Sequence, residues 1–265
     1  MPALLNASPT SRSAEARARL LSVKGEPTLL ADWSRVVFIH FEVEPAILQR
    51  EVPFDLELHH GRAYVSLVCF TVLRLRLRFG GRIARALFRP FLTRELFNVR
   101  TYVREGNETG IFFLAEWMTN RLVVPLAPIT YGLPYRYGRL HYENHPECGR
   151  IFGEIRDGFK PVRFSYESSV PGAMELAESI PGSVDEFLLE QYSAFTQQGR
   201  RRRFYRVWHE PWLQTSINLQ IRDQTLLEAN WPWFKTARLA EAHYTPGVMD
   251  VWIGRPMRSI NPRVR

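Results

Sequence analysis

The 265 residues include 45% hydrophobic and 13% aromatic side chains, enough apolar material for one large core and an aromatic share that favours strands. The net charge of +8 comes almost entirely from arginine, 32 of 35 basic residues, with lysine only at 24, 160 and 235. That bias fits a GC-rich coding sequence as well as a polyanion partner, and arginine pairs with carboxylates as readily as with phosphates. No apolar run approaches the ~20 residues of a membrane span. Leu122 to Ile129, among the longest, is broken by Pro125 and Pro128.

Residues 1–28 read as an appendage, with a helix over Ala14 to Val23 that stops at Gly25-Glu26-Pro27. No basic stretch precedes an apolar core there, so no secretory signal is expected. Residues 29–265 read as a single domain. The pattern turns to β at Trp33, and the β-branched, aromatic run Val36 to Val43 ends at Pro45. A short helix from Ala46 to Arg50 leads through Pro53 to a strand near Leu56. Gly61 is a turn before the long run Ala63 to Phe79. Further strands are predicted over Asn98 to Arg104, Gly110 to Met118, Tyr135 to Asn144, Ile151 to Arg156 and Pro161 to Ser169. Phe204 to Glu210, Leu213 to Arg222 and Val248 to Gly254 complete the set. In Leu213 to Arg222 apolar and polar residues alternate, the mark of a strand with one buried face. One longer helix is predicted over Val184 to Gln197, capped by Ser183 and stopped by Gly199; it should be the longest in the C-terminal half. Many strands and few helices predict a mainly β (α+β) fold with a closed or nearly closed sheet.

Several segments carry a resemblance in order. Trp33 with Phe38 to Phe41, Val52-Pro53 and Gly61 to Phe70 are followed by Asn98-Val99-Arg100-Thr101-Tyr102-Val103 and Gly110 to Phe113. Gly132-Leu133-Pro134-Tyr135, Phe187 to Tyr192 and His209-Glu210-Pro211-Trp212 close the series. Across roughly residues 30 to 255 this order resembles the YqjF-like family of uncharacterised bacterial proteins, similar in fold to acetoacetate decarboxylase. The resemblance implies an open, cone-shaped β barrel with a pocket inside and a few peripheral helices. In the decarboxylases of that superfamily a Gly-x-Pro segment precedes two lysines; one forms a Schiff base and its cationic neighbour lowers its pKa. Here Tyr135 and Arg136 follow Gly132-Leu133-Pro134. Neither can form an imine, so Schiff-base decarboxylation is not expected.

Arg100 is the strongest site candidate. On a strand it shares a face with Tyr102 and Arg104, and in a partly dry cavity its guanidinium would anchor a carboxylate or enolate. The structural alternative is a buried pair with Glu95, Glu116 or Glu167. Tyr135 is a candidate hydrogen-bond or proton donor with Arg136 as charge partner, or simply a wall residue after a turn. His209 is a candidate general base or a bonded strand-end histidine. His141, Glu143 and His145 face one way on a strand but spread too far for one ion, so an exposed polar face is expected and no metal is assigned. Cys69 and Ser66 lie in an apolar run and read as packing residues. With Cys148 the only other cysteine, a reducing cytoplasm fits better than a disulfide framework.

Two functions compete. The first is a pocket protein that binds or transforms a small carboxylated or keto-type organic molecule, with no cofactor. The second is a basic protein acting on polyanions or an anionic membrane surface through Arg74 to Arg89, where arginines 74, 76 and 78 alternate with apolar residues and 82, 85 and 89 follow at helical spacing. Arg200 to Arg203 form a third basic cluster. No recognised nucleic-acid module accompanies the charge, and a homo-oligomer is compatible with the sequence. The direction of the Arg74 to Arg89 side chains discriminates the two: inward around a cavity supports the first, one broad outer patch the second.

Overall fold

Long uninterrupted runs of β-branched and aromatic residues become the longest strands. β1 spans Leu29–Val43 and β3 Ala63–Leu77, and they pair antiparallel along most of their length. The computed structural model describes residues 12–79, 93–121, 124–125, 130–172 and 174–258. Between β1 and β3 lie the short helix α2 (Pro45–Leu48) and β2 (Asp55–Leu56); β4 (Thr93–Glu105) and β5 (Glu108–Met118) follow. Beyond them come β6 (Tyr135–His145), β7 (Arg150–Asp157), β8 (Arg163–Ser169), β9 (Ser193–Gln198), β10 (Arg201–Trp208), β11 (Thr215–Ser216), β12 (Gln220–Asp223), β13 (Arg238–Ile253) and β14 (Met257–Arg258). The helices are α1 (Arg12–Leu21), α3 (Val184–Leu189) and α4 (Thr225–Asn230).

The pairings form a closed circuit. β5 pairs with β9, β9 with β10, β10 with β13, β13 with β1, β1 with β3, β3 with β4, and β4 returns to β5. An arm made of β6, β7, β8 and β12 leaves the circuit at β5. Because side chains alternate, each strand of the circuit feeds two cores. Val37, Ile39 and Phe41 of β1 pack with Leu67, Phe97, Trp117 and Phe164 in the layer shared with the arm. Phe38 of β1, Val68 and Phe70 of β3 and Ile111 and Phe113 of β5 face the interior of the ring.

The fold class expected from the sequence is the one found, with local corrections; the last long strand, expected over Val248 to Gly254, already begins at Arg238 as β13. Helix α3 begins as predicted, with Ser183 Oγ accepting from Glu186 N at 3.2 Å, but it ends at Leu189. There the Glu190 carboxylate accepts hydrogen bonds from Trp212 N at 2.9 Å and from the Tyr192 hydroxyl, which draws the chain aside. Ser193 to Gln198 then join the sheet as β9, where Phe195 is buried, so sheet pairing overrides the helical pattern. Gly199, at φ 58°, serves the β9–β10 turn rather than a helix end. With α3 and α4 each 6 residues long, Val184 to Gln197 is not the longest helix of this half. Likewise Leu213 to Arg222 is not one strand. β11 pairs with β13 while β12 pairs with β8 in the arm, and Leu213 is 52% exposed. The chain crosses between sheet regions, and Ile217 and Leu219 fill the layer beneath that crossing.

Helix α1 lies against β10. Leu20 and Ala16 pack with Trp208, whose indole N–H donates to Ser13 O at 3.1 Å, and Ser13 Oγ donates to His209 O at 2.9 Å.

Ring closure on the β5–β9 side depends on a missing side chain. A Cβ added at Gly110 would lie 2.1 Å from Ser193 O and 2.7 Å from Ser193 C, both backbone atoms that cannot swing away. Gly110→Ala should therefore destabilise the protein by about 1–3 kcal/mol or more in denaturant unfolding. Gly172→Ala, where a Cβ meets nothing within 4 Å, should leave stability unchanged. Equal effects of the two would contradict the close-approach argument.

Candidate functional site

The ring encloses a cavity of about 510 Å³, lined chiefly by aliphatic and aromatic side chains. A small polar set breaks this lining. β4 contributes Arg94, Asn98 and Arg100 from its inward face, and β5 contributes Glu116. A register shift between Val99 and Arg100 in the β4–β5 ladder lets β5 turn both Phe113 and Glu116 inward.

Arg100 is buried, at 8% exposure, and its guanidinium lies 5.5 Å from the centre of the Phe38 ring. One terminal nitrogen is 3.4 Å from Leu188 O, a long hydrogen bond, while Nε has no partner. Neither Glu95 nor Glu167 pairs with it. Glu167 bonds Arg222 on the exposed arm. Glu116 is electrostatically coupled to Arg100 but not in ion-pair contact, and its Oε2 and the Asn98 Oδ1 are also buried without partners. Burial raises the Glu116 carboxyl to about 8, against the pull of Arg100, so the group is largely protonated at neutral pH. Burial lowers Arg100 from its usual range, with Tyr102 and Glu116 opposing.

Tyr135 lines the same cavity, and burial, reinforced by Glu116, keeps its phenol protonated well above the ordinary range. His209 lines it too. Its Nδ1 bonds Glu210 O at 2.8 Å and its ring packs between Tyr192 and Trp212; burial lowers its pKa, leaving a neutral imidazole. Tyr102 stands behind the lining in a buried chain. His40 Nδ1 is 2.6 Å from Ser66 Oγ, Ser66 Oγ is 2.5 Å from the Tyr102 hydroxyl, and that hydroxyl donates to Leu188 O at 2.8 Å. Burial first, then His243 and Arg100, hold His40 well below its usual pKa.

Arg136 goes elsewhere. It stacks on Trp117 at 5.0 Å and Trp231 at 5.9 Å and donates to Asn230, on the outer layer and away from the cavity. Tyr135 and Arg136 are strand neighbours, so one faces inward and the other outward. Arg104 leaves the cavity altogether and pairs with Glu57 at 2.9 Å. His141 and His145 lie on an exposed face and bond Glu143 and Glu147 at 3.0 Å. Cys69 is fully buried, its thiol pushed up to about 12, and Cys148 is exposed. Among the described residues no lysine lines the cavity. Arg74, Arg76 and Arg78 point away from it and are engaged by Asp32, Asp250 and the carbonyl of Glu26; residues 82, 85 and 89 lie outside the described residues.

Sequence reasoning missed Asn98 and His40 and considered Glu116 only as a salt-bridge partner. A single acid or imidazole inside an apolar strand was the available signal, as in Leu114-Ala115-Glu116-Trp117 and Phe38-Ile39-His40-Phe41. The β-bulge hid the parity of Glu116.

A ring of strands around such a cavity is the acetoacetate decarboxylase-like fold. An acetoacetate decarboxylase-like enzyme from Sphingomonas wittichii RW1 superposes with a TM-score of 0.61 at 14% identity, covering 97% of this chain and 98% of that one. The enduracididine biosynthesis enzyme MppR complexed with pyruvate gives 0.58 at 14%, covering 89% and 92%. Acetoacetate decarboxylase from Legionella pneumophila gives 0.56 at 12%, covering 96% and 98%. At these identities the likeness concerns the fold alone. The chain belongs to the DUF2071 family, described as an uncharacterized conserved protein, whose model matches residues 30–249. The YqjF protein of Bacillus subtilis strain 168 is 30% identical over 200 residues, 75% of this chain and 79% of that protein.

The raised Glu116 pKa makes a signed prediction. Folding favours its protonated form, so its stabilising share is complete below the unfolded value near 4.5 and is lost as pH rises to about 8. The melting temperature of Glu116→Gln minus that of the unsubstituted protein should therefore grow between these limits and level off above them. A difference that stays flat from pH 5 to 9 contradicts a buried, neutral Glu116.

Proposed function

We propose that the protein binds, and on suitable substrates transforms, a small carboxylated or keto-type organic molecule inside the strand ring, without Schiff-base decarboxylation. The observation that carries this reading is Arg100: a buried guanidinium in an apolar cavity, with an unpartnered Nε and no carboxylate in ion-pair contact among the described residues. A desolvated cation of this kind is costly unless an anion meets it, and a planar carboxylate matches its fork. Glu116, protonated at neutral pH, and Tyr135 supply hydrogen-bond donors for a keto or enolate oxygen on the same ligand. His209, held neutral, is the candidate base. The aliphatic and aromatic walls suit an apolar body beyond the acid group.

Pyruvate, bound by MppR, is a molecule of this class on a similar fold. The lysines speak against imine chemistry: the cavity has none among the described residues, and Tyr135 and Arg136 occupy the segment that holds the lysine pair in the decarboxylases. By direction, Arg74, Arg76 and Arg78 point away from the cavity as the polyanion reading expects, but Arg74 and Arg76 are ion-paired with the buried Asp32 and with Asp250, which weakens that reading. Two free thiols fit a reducing cytoplasm.

Titration with a panel of small carboxylates and 2-keto acids, beside thermal unfolding, tests the anchor. Arg100→Lys should weaken binding by losing the planar fork. Arg100→Ala should cost about 2–5 kcal/mol of binding free energy, with both variants folded. If Arg100→Ala collapses the fold, or binds every acid as well as the unsubstituted protein, Arg100 is a structural residue and the proposal fails. Treatment with pyruvate or acetoacetate followed by borohydride should leave the intact mass unchanged; a stoichiometric adduct on Lys160 or Lys235 would restore imine chemistry.

A further inference from the structure

We infer that Asp185, Glu241 and His243 form a binding site for one divalent transition-metal ion, with Zn²⁺ the best-matched candidate. Asp185 stands in the first turn of α3, while Glu241 and His243 are alternate residues of β13, so a helix and a strand present three ligand atoms at one spot. These atoms all lie within 4.8 Å of one another. His243 Nε2 is 3.4 Å from Asp185 Oδ1 and 3.9 Å from Glu241 Oε2. Ligands held tetrahedrally by Zn–N and Zn–O bonds of about 2.0–2.1 Å stand about 3.3–3.4 Å apart. The His243–Asp185 spacing already matches, and the two carboxylates, on partly exposed side chains, would turn inward to bring the remaining pairs, up to 4.8 Å apart, to that distance.

The surroundings of His243 favour a cation over an ordinary buried ion pair. His243 is fully buried, yet neither ring nitrogen has a hydrogen-bond partner, and Nε2 lies 3.4 and 3.9 Å from the two carboxylates. Glu241 Oε2 is buried without a partner as well. Two carboxylates this close repel unless a proton or a cation lies between them. In a chain with 32 arginines, none of the described ones ion-pairs with Asp185 or Glu241. The partly exposed Asp185 and Glu241 side chains, at 31% and 40%, leave the remaining coordination positions open toward solvent. One imidazole and two carboxylates with an open position is a donor set for Zn²⁺, with Mn²⁺ and Fe²⁺ as harder-ligand competitors.

The site lies behind the cavity lining. The His243 ring meets the His40 ring edge-on at 5.3 Å, His40 stacks on the lining residue Phe38 at 6.1 Å, and His40 begins the chain through Ser66 to Tyr102. An ion on His243 would thus be separated from the ligand pocket by the His243 and His40 rings and the Phe38 side chain.

Full-length protein stripped with a chelator and titrated with Zn²⁺ against a chromophoric competitor tests this. One ion per chain should bind, and Co²⁺ in its place should give visible absorption bands of four- or five-coordination. Asp185→Asn and Glu241→Gln, both at partly exposed positions, should each weaken Zn²⁺ binding by at least about 100-fold, the upper range for loss of a mere supporting group. Zn²⁺ should raise the melting temperature of the unsubstituted protein but not of these variants. The double variant His141→Gln, His145→Gln should bind as the unsubstituted protein does, which separates this site from the exposed His–Glu pairs. Absence of stoichiometric binding overturns the inference, as does binding unchanged in both carboxylate variants or lost in the double histidine variant.

Discussion

The register of β4 fixes almost everything that matters in this molecule. β4 is paired on both edges, with β3 through Ser66↔Arg100 and with β5 through Arg100↔Phe113. A slip of one residue would turn Asn98, Arg100 and Tyr102 toward the outer layer and bring Phe97 and Val99 into the cavity. The burial of Phe97, Val99 and Trp117 against the arm therefore does more than fill a core: it holds a guanidinium on the opposite face of the same strand, out of water.

Once Arg100 is held there, the protonation states around it follow from desolvation. Burial favours the neutral form of Glu116, His40 and His209, and the phenols of Tyr102 and Tyr135 are pushed upward. Arginine alone keeps its charge under such conditions. The polar lining thus combines the fixed cations Arg94 and Arg100 of β4 with neutral donors and acceptors, the pattern on which the proposed recognition of an anion with a nearby carbonyl or hydroxyl rests. Glu116 departs from the salt-bridge role that its sign suggests: burial keeps it largely uncharged, and it makes no ion pair with Arg100.

The sequence revealed the strands, the cap at Ser183 and the inward arginine because each depends on local chemistry: period-two alternation, a hydroxyl at a helix start, a polar residue inside an apolar strand. It concealed what depends on partners distant in the chain. Helix α3 ends early because Glu190 is taken by Trp212 and Tyr192, and β9 exists because β5 and β10 flank it. Tyr135 and Arg136 read in the sequence as one candidate pair, yet adjacent strand residues cannot share a face. Ser66 reads as packing in an apolar run, and only the fold shows it joined to His40 and Tyr102. Asp185 and His243, 58 positions apart in sequence, meet only because α3 closes against β13.

The central claim is that Arg100 receives an acid inside the strand ring. A crystal structure of the protein grown or soaked with pyruvate tests it most directly. The account predicts the carboxylate in the cavity, paired side by side with the Arg100 guanidinium at about 2.7–2.9 Å, with the keto oxygen toward Glu116 or Tyr135. Pyruvate bound only outside the ring, or Glu116 swung over to ion-pair with Arg100 in a cavity that takes up no acid, would contradict it.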